Sequence, residues 1–337
     1  MYRKGVYAMV TIKDVAAKAG VSKTTASDAL RGGGDVSAKT MLRVRAIAEQ
    51  MGYKPNVSAR SLRSGRSNTI TFLTSGIQGS YFAEVATYFA EEINRRGMYM
   101  LIELTKFVRD DAKQKIPFPM SDGIIATNAL HVDRLLREHP TVVLENYDDE
   151  CPYDTVNASS AAGSRAAIRH LAERGCTRIA VVGDNSGPGV YPGSRDLRYE
   201  SARDECRKLG LRFDDDSFVR SQWSRQGGIE TGHALADAGM PFDGLYCLSD
   251  GIALGVIRGL NERGVRVPDD VAVMGFDGVL EGRYYSPSLT SVRTDFSTMA
   301  RVAMDLLMRR IEHPDDKAAR QCMTVGYEIA EGESTAR

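Results

Sequence analysis

Ser22, Lys23, Thr24, Thr25, Ser27 and Asp28 crowd hydroxyl, ammonium and carboxylate groups into seven consecutive residues around one apolar position, Ala26. Short polar side chains of this kind suit base edges and phosphates, provided that a rigid element presents them together. The flanking residues supply such an element. Thr11 can cap a first helix, with Asp14 completing a capping box, and Val15, Ala16 and Ala19 recur at helical spacing. Gly20 stands where that helix must stop and the chain must turn, a place that favours positive φ. Val21 can plug the space between the two helices. Ser22 is the natural cap of a second helix, in which Ala26 and Leu30 face inward and Lys23, Thr24, Ser27 and Asp28 outward. A third helix is predicted over 38–51, capped by Ser37 and stopped by Gly52, with Val44, Ile47, Ala48 and Met51 closing a small core. This is the pattern of a helix-turn-helix, whose second helix enters the major groove of DNA. An ordinary alanine-rich hairpin also fits the first two helices. The capped third helix and the basic segment after it favour nucleic acid.

Charge points the same way. Of 44 Lys and Arg and 44 Asp and Glu in 337 residues, 13 bases and only 4 acids fall in residues 1–67, a net of +9 against −9 for the remainder. A basic head on an acidic body concentrates its field where a polyanion docks. Five cysteines stand apart with no CxxC, which argues against a zinc site and against a disulfide framework. No apolar run approaches 18 residues and no signal segment opens the chain, so a cytoplasmic protein away from the membrane is expected.

After Pro55 comes a short, serine-rich, basic linker, only weakly helical by propensity. From residue 68 the pattern changes. Strands are predicted at 69–73, 98–104, 123–126, 142–144, 178–182, 244–248 and 271–274. Helices are predicted at 82–96, 164–174, 198–209, 228–238, 253–263 and 296–311. A shortened or degraded helix is expected between Leu104 and Ser121, where Pro117 and Pro119 intrude. Alternation of this kind means doubly wound parallel sheets, here an α/β core of two lobes split near residue 160, with the default pocket in the cleft between them. The expected domains are a headpiece at 9–57, a hinge or linker at 58–67 and a two-lobed core at 68–337. Enzyme readings fare poorly. GDNSGPG at 183–189 is not GxGxxG opening a helix, no GxSxG or HExxH occurs, and the five histidines are isolated. No catalytic residue, metal or cofactor is expected. A transport-type sugar-binding protein fits the core but not the basic head.

DVAAKAGVSKTTASDAL, followed by VSAKTMLRVRAIAEQMGYKPNVSARSL, strongly resembles the headpiece of the lactose/galactose-repressor (LacI-type) transcription regulators. HLAERGCTRIAVVG, FDGLYCLSDGIALGVIRGLNERGVRVPDDVAVMGFDG and SPSLTSV resemble that family's later motifs, in the same order, so the likeness spans nearly the whole chain. The resemblance implies an all-α helix-turn-helix headpiece and a two-lobed core like the periplasmic binding proteins. It further implies a homodimer on double-stranded operator DNA and a small effector, a sugar or derivative, in the cleft. No leucine heptad follows Tyr327, which favours a dimer over a tetramer.

Carried over, it makes Lys23, Thr24 and Asp28 base readers, with Thr25 and Ser27, alongside Thr11 and Ser22, nearer the phosphates. Lysine suits guanine and the threonine methyl suits thymine. Asp28 departs from the family's usual arginine. It either accepts from cytosine N4 or touches nothing and disfavours wrong sequences. Leu62 aligns with a hinge leucine that wedges the minor groove, flanked by Asn56, Ala59 and Arg60; packing on its own lobe is the alternative. In the cleft the resemblance picks out Arg198 for ligand hydroxyls or carboxylates, Asp277 as an acceptor, and Trp223 as a stacking face or else a core residue. It adds Ser249, in place of the family's asparagine, beside Asp250. Tyr81 and Phe82 follow the first strand and line the first-lobe wall, unless Phe82 is simply buried in its helix. The acid that relatives carry after Val156 is replaced by Asn157-Ala158-Ser159.

Overall fold

The structure is a computed structural model that describes residues 10–33, 35–53, 66–105, 121–127, 136–184, 197–316 and 318–337. The expected hinge contacts Asn56, Ala59, Arg60 and Leu62, and the helix expected after Leu104, lie outside the described residues. The chain divides into two compact units, 1–67 and 68–337.

The first unit holds α1 (Ile12–Ala19), α2 (Lys23–Arg31) and α3 (Ala38–Gln50). Asp14 accepts from both the Thr11 amide and the Thr11 hydroxyl, each at 2.8 Å, so the acidic half of the expected capping box is made. Gly20 turns the chain at φ +63°, where its amide and that of Val21 close the last turn of α1 on Ala17 and Ala16. Val15, Ala16, Ala19, Ala26, Ala29, Val44 and Ala48 are buried together. Leu30, Val21, Ile47 and Met51 pack around them, half-buried. Small side chains let three short helices approach closely, but they make a thin core.

The second unit is built on two six-stranded sheets. The first runs β2 (Tyr99–Leu104), β1 (Thr69–Thr74), β3 (Gly123–Thr127), β4 (Thr141–Leu144), β5 (Asp154–Asn157) and β11 (Cys322–Thr324), all parallel. The second runs β7 (Phe218–Arg220), β6 (Ile179–Gly183), β8 (Gly244–Cys247), β9 (Ala272–Asp277), β10 (Thr290–Thr294) and β12 (Tyr327–Ala330), with only β12 antiparallel. Both sheets reverse their strand order beside their first strand, between β1 and β3 and between β6 and β8. Ligands of open α/β sheets sit outside the strand carboxyl ends at such points.

Strands β5, β7, β10, β11 and β12 were not foreseen. They are three to five residues long, and several carry polar residues such as Asp154, Arg220 and Arg293, so no apolar run marks them. A single split near residue 160 also proves too simple. The chain leaves the first lobe there, returns through the helix Phe296–Glu312, which packs on β3, β4 and β5, adds β11, and crosses back into β12. Arg310 of that helix holds Asp154 of β5 with two hydrogen bonds, of 2.8 and 2.9 Å, and Asp154 also accepts from the Gln321 amide at 2.7 Å. That knot ties the returning segment to the first sheet.

In the second lobe, the helices Arg225–Asp237 and Asp250–Glu262 cross backbone to backbone. A methyl group on Gly228, Gly232, Gly255 or Gly259 would lie 2.2–2.6 Å from a carbonyl oxygen of the facing helix. The crossing sets the starts of both helices, and hence Arg225 and Asp250. Among the described residues, no helix is long and apolar enough to cross a membrane.

Candidate nucleic-acid interface and ligand cleft

The headpiece offers one polar face. Lys23, Thr24, Ser27, Asp28 and Arg31 follow each other at intervals of one and three along α2, which puts them on one side of a helix. Lys23, Thr24 and Arg31 are exposed, and Ser27 and Asp28 are half-buried. Ser22 and Thr25 are engaged with each other: the Ser22 hydroxyl accepts from the Thr25 amide at 3.0 Å and lies 2.8 Å from the Thr25 hydroxyl. Their first task is to cap α2, whose first two amides, those of Lys23 and Thr24, stand at the anion-favouring end of the helix. Thr11 likewise serves its own helix through Asp14, whose carboxyl those bonds hold below the usual range. Asp28 accepts from the Arg31 guanidinium at 2.5 Å. Arg31 was missed from the sequence, although its place on the outer stripe was available from spacing alone.

The cleft gathers residues from both lobes of the second unit, each from the carboxyl end of a strand or from the segment that follows it. From the first lobe come Tyr81, at the start of the helix Ser80–Arg95 after β1, and Glu145 and Tyr147 after β4. From the second come Arg198, Trp223, Phe276 and Asp277. Tyr81 donates a hydrogen bond to Glu145. Burial, together with the charges of Glu145 and Asp277, holds its phenol well above the usual range. Tyr81 also meets Phe82 and Phe296 edge-on, at 5.1 and 5.7 Å between ring centroids. Phe82 is half-buried. Tyr147 donates to the Ala158 carbonyl at 3.1 Å and lies 2.7 Å from the Ser160 hydroxyl.

Facing them, Arg198 donates to the Leu248 carbonyl at 3.0 Å, with its guanidinium 5.0 Å from the Trp223 ring and 5.2 Å from that of Phe276. Trp223 is 40 % exposed and donates to the Asp184 carbonyl at 2.9 Å, which is not the setting of a core tryptophan. Burial and the nearby Asp250 carboxylate push Asp277 well above the usual carboxylate range, against the pull of Arg198. Glu145 and Asp277 both sit at positive φ, +54° and +114°. Side chains other than glycine tolerate that conformation only at a cost, of order 1–3 kcal/mol each. Two acids strained in this way, one from each lobe, mark a place where position matters more than backbone comfort.

Two expected cleft residues stand apart. Ser249 caps the helix Asp250–Glu262, accepting from the Ile252 amide at 3.3 Å. Asp250 is 1 % exposed, with its oxygens engaged by the Ser291 hydroxyl at 2.5 Å and the Val279 amide at 2.7 Å. Gly275 makes room for it, since a methyl group there would fall 2.2 Å from its Oδ1. Burial raises Asp250 to about 7 against those hydrogen bonds. It braces the turn after β9 from behind. Glu145, Tyr147 and Phe276 went unnamed in the sequence. Their only signal is a place at the carboxyl end of an apolar strand, or one residue before Asp277.

The lobes are also latched at the rim. The Leu280 amide donates to Glu84 at 2.5 Å, while Glu281 takes hydrogen bonds from Ser80 and Arg225, which are themselves 2.8 Å apart. Among the described residues, no group of three or more His, Cys, Asp and Glu could hold a metal ion.

Residues 11–56 match the family described as bacterial regulatory proteins, lacI family, and residues 168–335 the periplasmic binding protein-like domain. The HTH-type transcriptional repressor PurR of Pasteurella multocida (strain Pm70) is 27 % identical over 321 residues, which are 92 % of this chain and 95 % of that protein. The solved structure of a LacI-family transcriptional regulator from Sanguibacter keddieii is 31 % identical, with a TM-score of 0.72 over 81 % of this chain and all of that one. The lac repressor dimer bound to operator and the anti-inducer ONPF shares the fold, with a TM-score of 0.78 over 97 % of this chain and 99 % of its own at 22 % identity.

Proposed function

The chain belongs to the LacI family of bacterial regulatory proteins, which are transcriptional regulators and not enzymes, and from that premise we propose how its own residues do the work. It is a DNA-binding transcriptional repressor with a small-molecule-binding core. Lys23 and Thr24 read base edges from the start of α2, while Thr25 and Ser27, with the capped helix start, take the backbone. Thr11 and Ser22 support this by fixing their helix ends. Leu62 wedges the minor groove at the operator centre, with Asn56, Ala59 and Arg60 beside it. The protein works in the cytoplasm as a homodimer, for which the exposed Tyr99 and Leu101, alternate residues on one face of the edge strand β2, offer apolar surface.

The effector is an uncharged sugar. The observation that carries this is the pairing of Glu145 with Asp277 across the cleft, beside Tyr81 and Tyr147, with Arg198 between Asp277 and the face of Trp223. Among the described residues, two acidic side chains there meet one guanidinium, and that guanidinium already has Asp277 and the Leu248 carbonyl as partners. Such a site exchanges hydrogen bonds with hydroxyl groups and offers a carboxylate or phosphate no cation that is not already engaged. A ligand that bridges Glu145 and Asp277 favours one lobe arrangement over others. Only that difference in affinity can alter DNA binding.

Thermal unfolding of the full chain with matched neutral sugars, uronates and sugar phosphates tests this. A rise in melting temperature with a neutral sugar alone is expected, since ligand binding to the folded state stabilises it. A rise with the uronate instead overturns the assignment. The DNA half is tested separately by mobility shift, with affinity falling steeply as salt rises.

A further inference from the structure

Arg31 completes the outer stripe of α2 and donates a hydrogen bond to the one acid on that stripe. The guanidinium Nη2 donates to Asp28 Oδ1 at 2.5 Å, one turn back along the helix, while the arginine side chain stays 62 % exposed. Behind the pair, the Arg45 guanidinium of α3 lies against the end of α2, so close that a methyl group on Gly32 would come within 3.2 Å of it. The end of α2 is therefore cationic, with a single carboxylate set into it.

A bare carboxylate on a DNA-facing surface is repelled by every phosphate near it. Paired with Arg31, its charge is cancelled. The pairing also does something for the arginine. A free arginine has to give up rotamer freedom to hold its planar fork in one orientation. The carboxylate engages one of the five N–H donors and restrains the fork, and the remaining donors stay available to a base edge. An exposed pair of this kind adds little to folding stability, so its value lies in orientation.

We propose that Arg31 reads a guanine of the operator half-site through its planar fork and that Asp28 is a positioning residue that holds it. The two act as one reader, and Asp28 contacts no base of its own. The proposal rests on α2 being the DNA-reading helix.

The test uses the full chain and its R31A, R31K and D28A variants, with folding checked by circular dichroism. Each is put through selection from a random duplex library, and affinity for the selected site is measured across a salt series. R31A and R31K should both lose preference at the same G·C pair, by about ten-fold or more, because lysine cannot supply the fork. D28A should relax that same position more weakly and no other. R31K should keep the wild-type salt dependence. If R31A lowers the salt slope by about one with base preference intact, Arg31 is a phosphate contact and the proposal fails. If D28A alters a different base pair from R31A, Asp28 is an independent reader and the proposal fails. If wild type enriches no sequence, the DNA-reading helix itself is misassigned and the proposal falls with it.

Discussion

The headpiece and the core assemble their functional faces in opposite ways. In the headpiece, nine consecutive residues, Lys23–Arg31, carry the whole outer polar stripe of α2, and the other two helices pack behind it. In the core, Tyr81, Glu145, Arg198, Trp223 and Asp277 are scattered over nearly 200 residues and meet because strand carboxyl ends converge. A face made from one helix is robust to shifts elsewhere but has only a thin core of alanines and valines beneath it. A face made from strand ends rests on a large core, yet any change in how the lobes and helices seat displaces its members.

The comparison can be broken at its strongest point by Gly255→Ala. The added methyl group would fall 2.2 Å from the Arg225 carbonyl at the helix crossing, so the core should lose about 3 kcal/mol, at the upper end for overpacking. Urea unfolding followed through Trp223, the sole tryptophan, reads the core directly. An unchanged midpoint would mean that the helices part freely.

Arg198→Ala comes next. Losing the group between Trp223 and Phe276 should weaken ligand affinity by about 100-fold, the scale of about 2–3 kcal/mol for a buried charged contact. Operator affinity without ligand should hold. Calorimetry and mobility shift, run together, separate the two.

On the headpiece side, Val44→Ala should cost about 2 kcal/mol. That is a large share of the stability of so small a unit, so DNA binding should fail at a temperature where the core remains folded. Circular dichroism melting of the full chain should show a separate early transition.

A smaller effect sharpens the contrast in electrostatics. Asp250 and Asp277 are raised above the usual carboxylate range by burial, Asp250 to about 7. The folded core therefore favours their protonated forms. The stability that this contributes is complete below the ordinary carboxylate pKa of about 4 and is lost as pH rises toward neutrality. Asp277→Asn should flatten the difference in core stability between pH 5 and pH 7 by about 1 kcal/mol or more. A wild-type curve parallel to that of the variant would contradict it. The headpiece has the opposite sign at Asp14, whose lowered carboxyl helps most at neutral pH. The smallest change is Ser22→Ala, which removes the α2 cap for about 1 kcal/mol and should weaken operator binding modestly.

Much of the fold could be read in the chain order. The three headpiece helices, their caps at Ser22 and Ser37 and the turn at Gly20 are local features, set by residues within four positions of each other. The long apolar strands and amphipathic helices of the core are local as well. The short polar strands β5, β10 and β11 were not legible, because Asp154, Arg293 and Cys322 become strand residues only when a neighbour offers a ladder. At the candidate site, Arg198, Trp223 and Asp277 were expected from motif likeness. Glu145 and Tyr147 carried no motif, and Ser249 and Asp250 carried one whose side chains turn inward as braces.

Sequence by itself determined that a basic three-helix head precedes an acidic α/β core, and which side chains face outward along α2, since helical periodicity is a property of neighbours. Only the tertiary structure decided that Glu145 faces Asp277 and that Asp250 stands behind the wall. Those relations depend on rotamers, on where the chain returns after Phe296–Glu312, and on how closely two glycine-lined helices cross. Contacts of that kind form between residues whose separation along the chain carries no information about their separation in space.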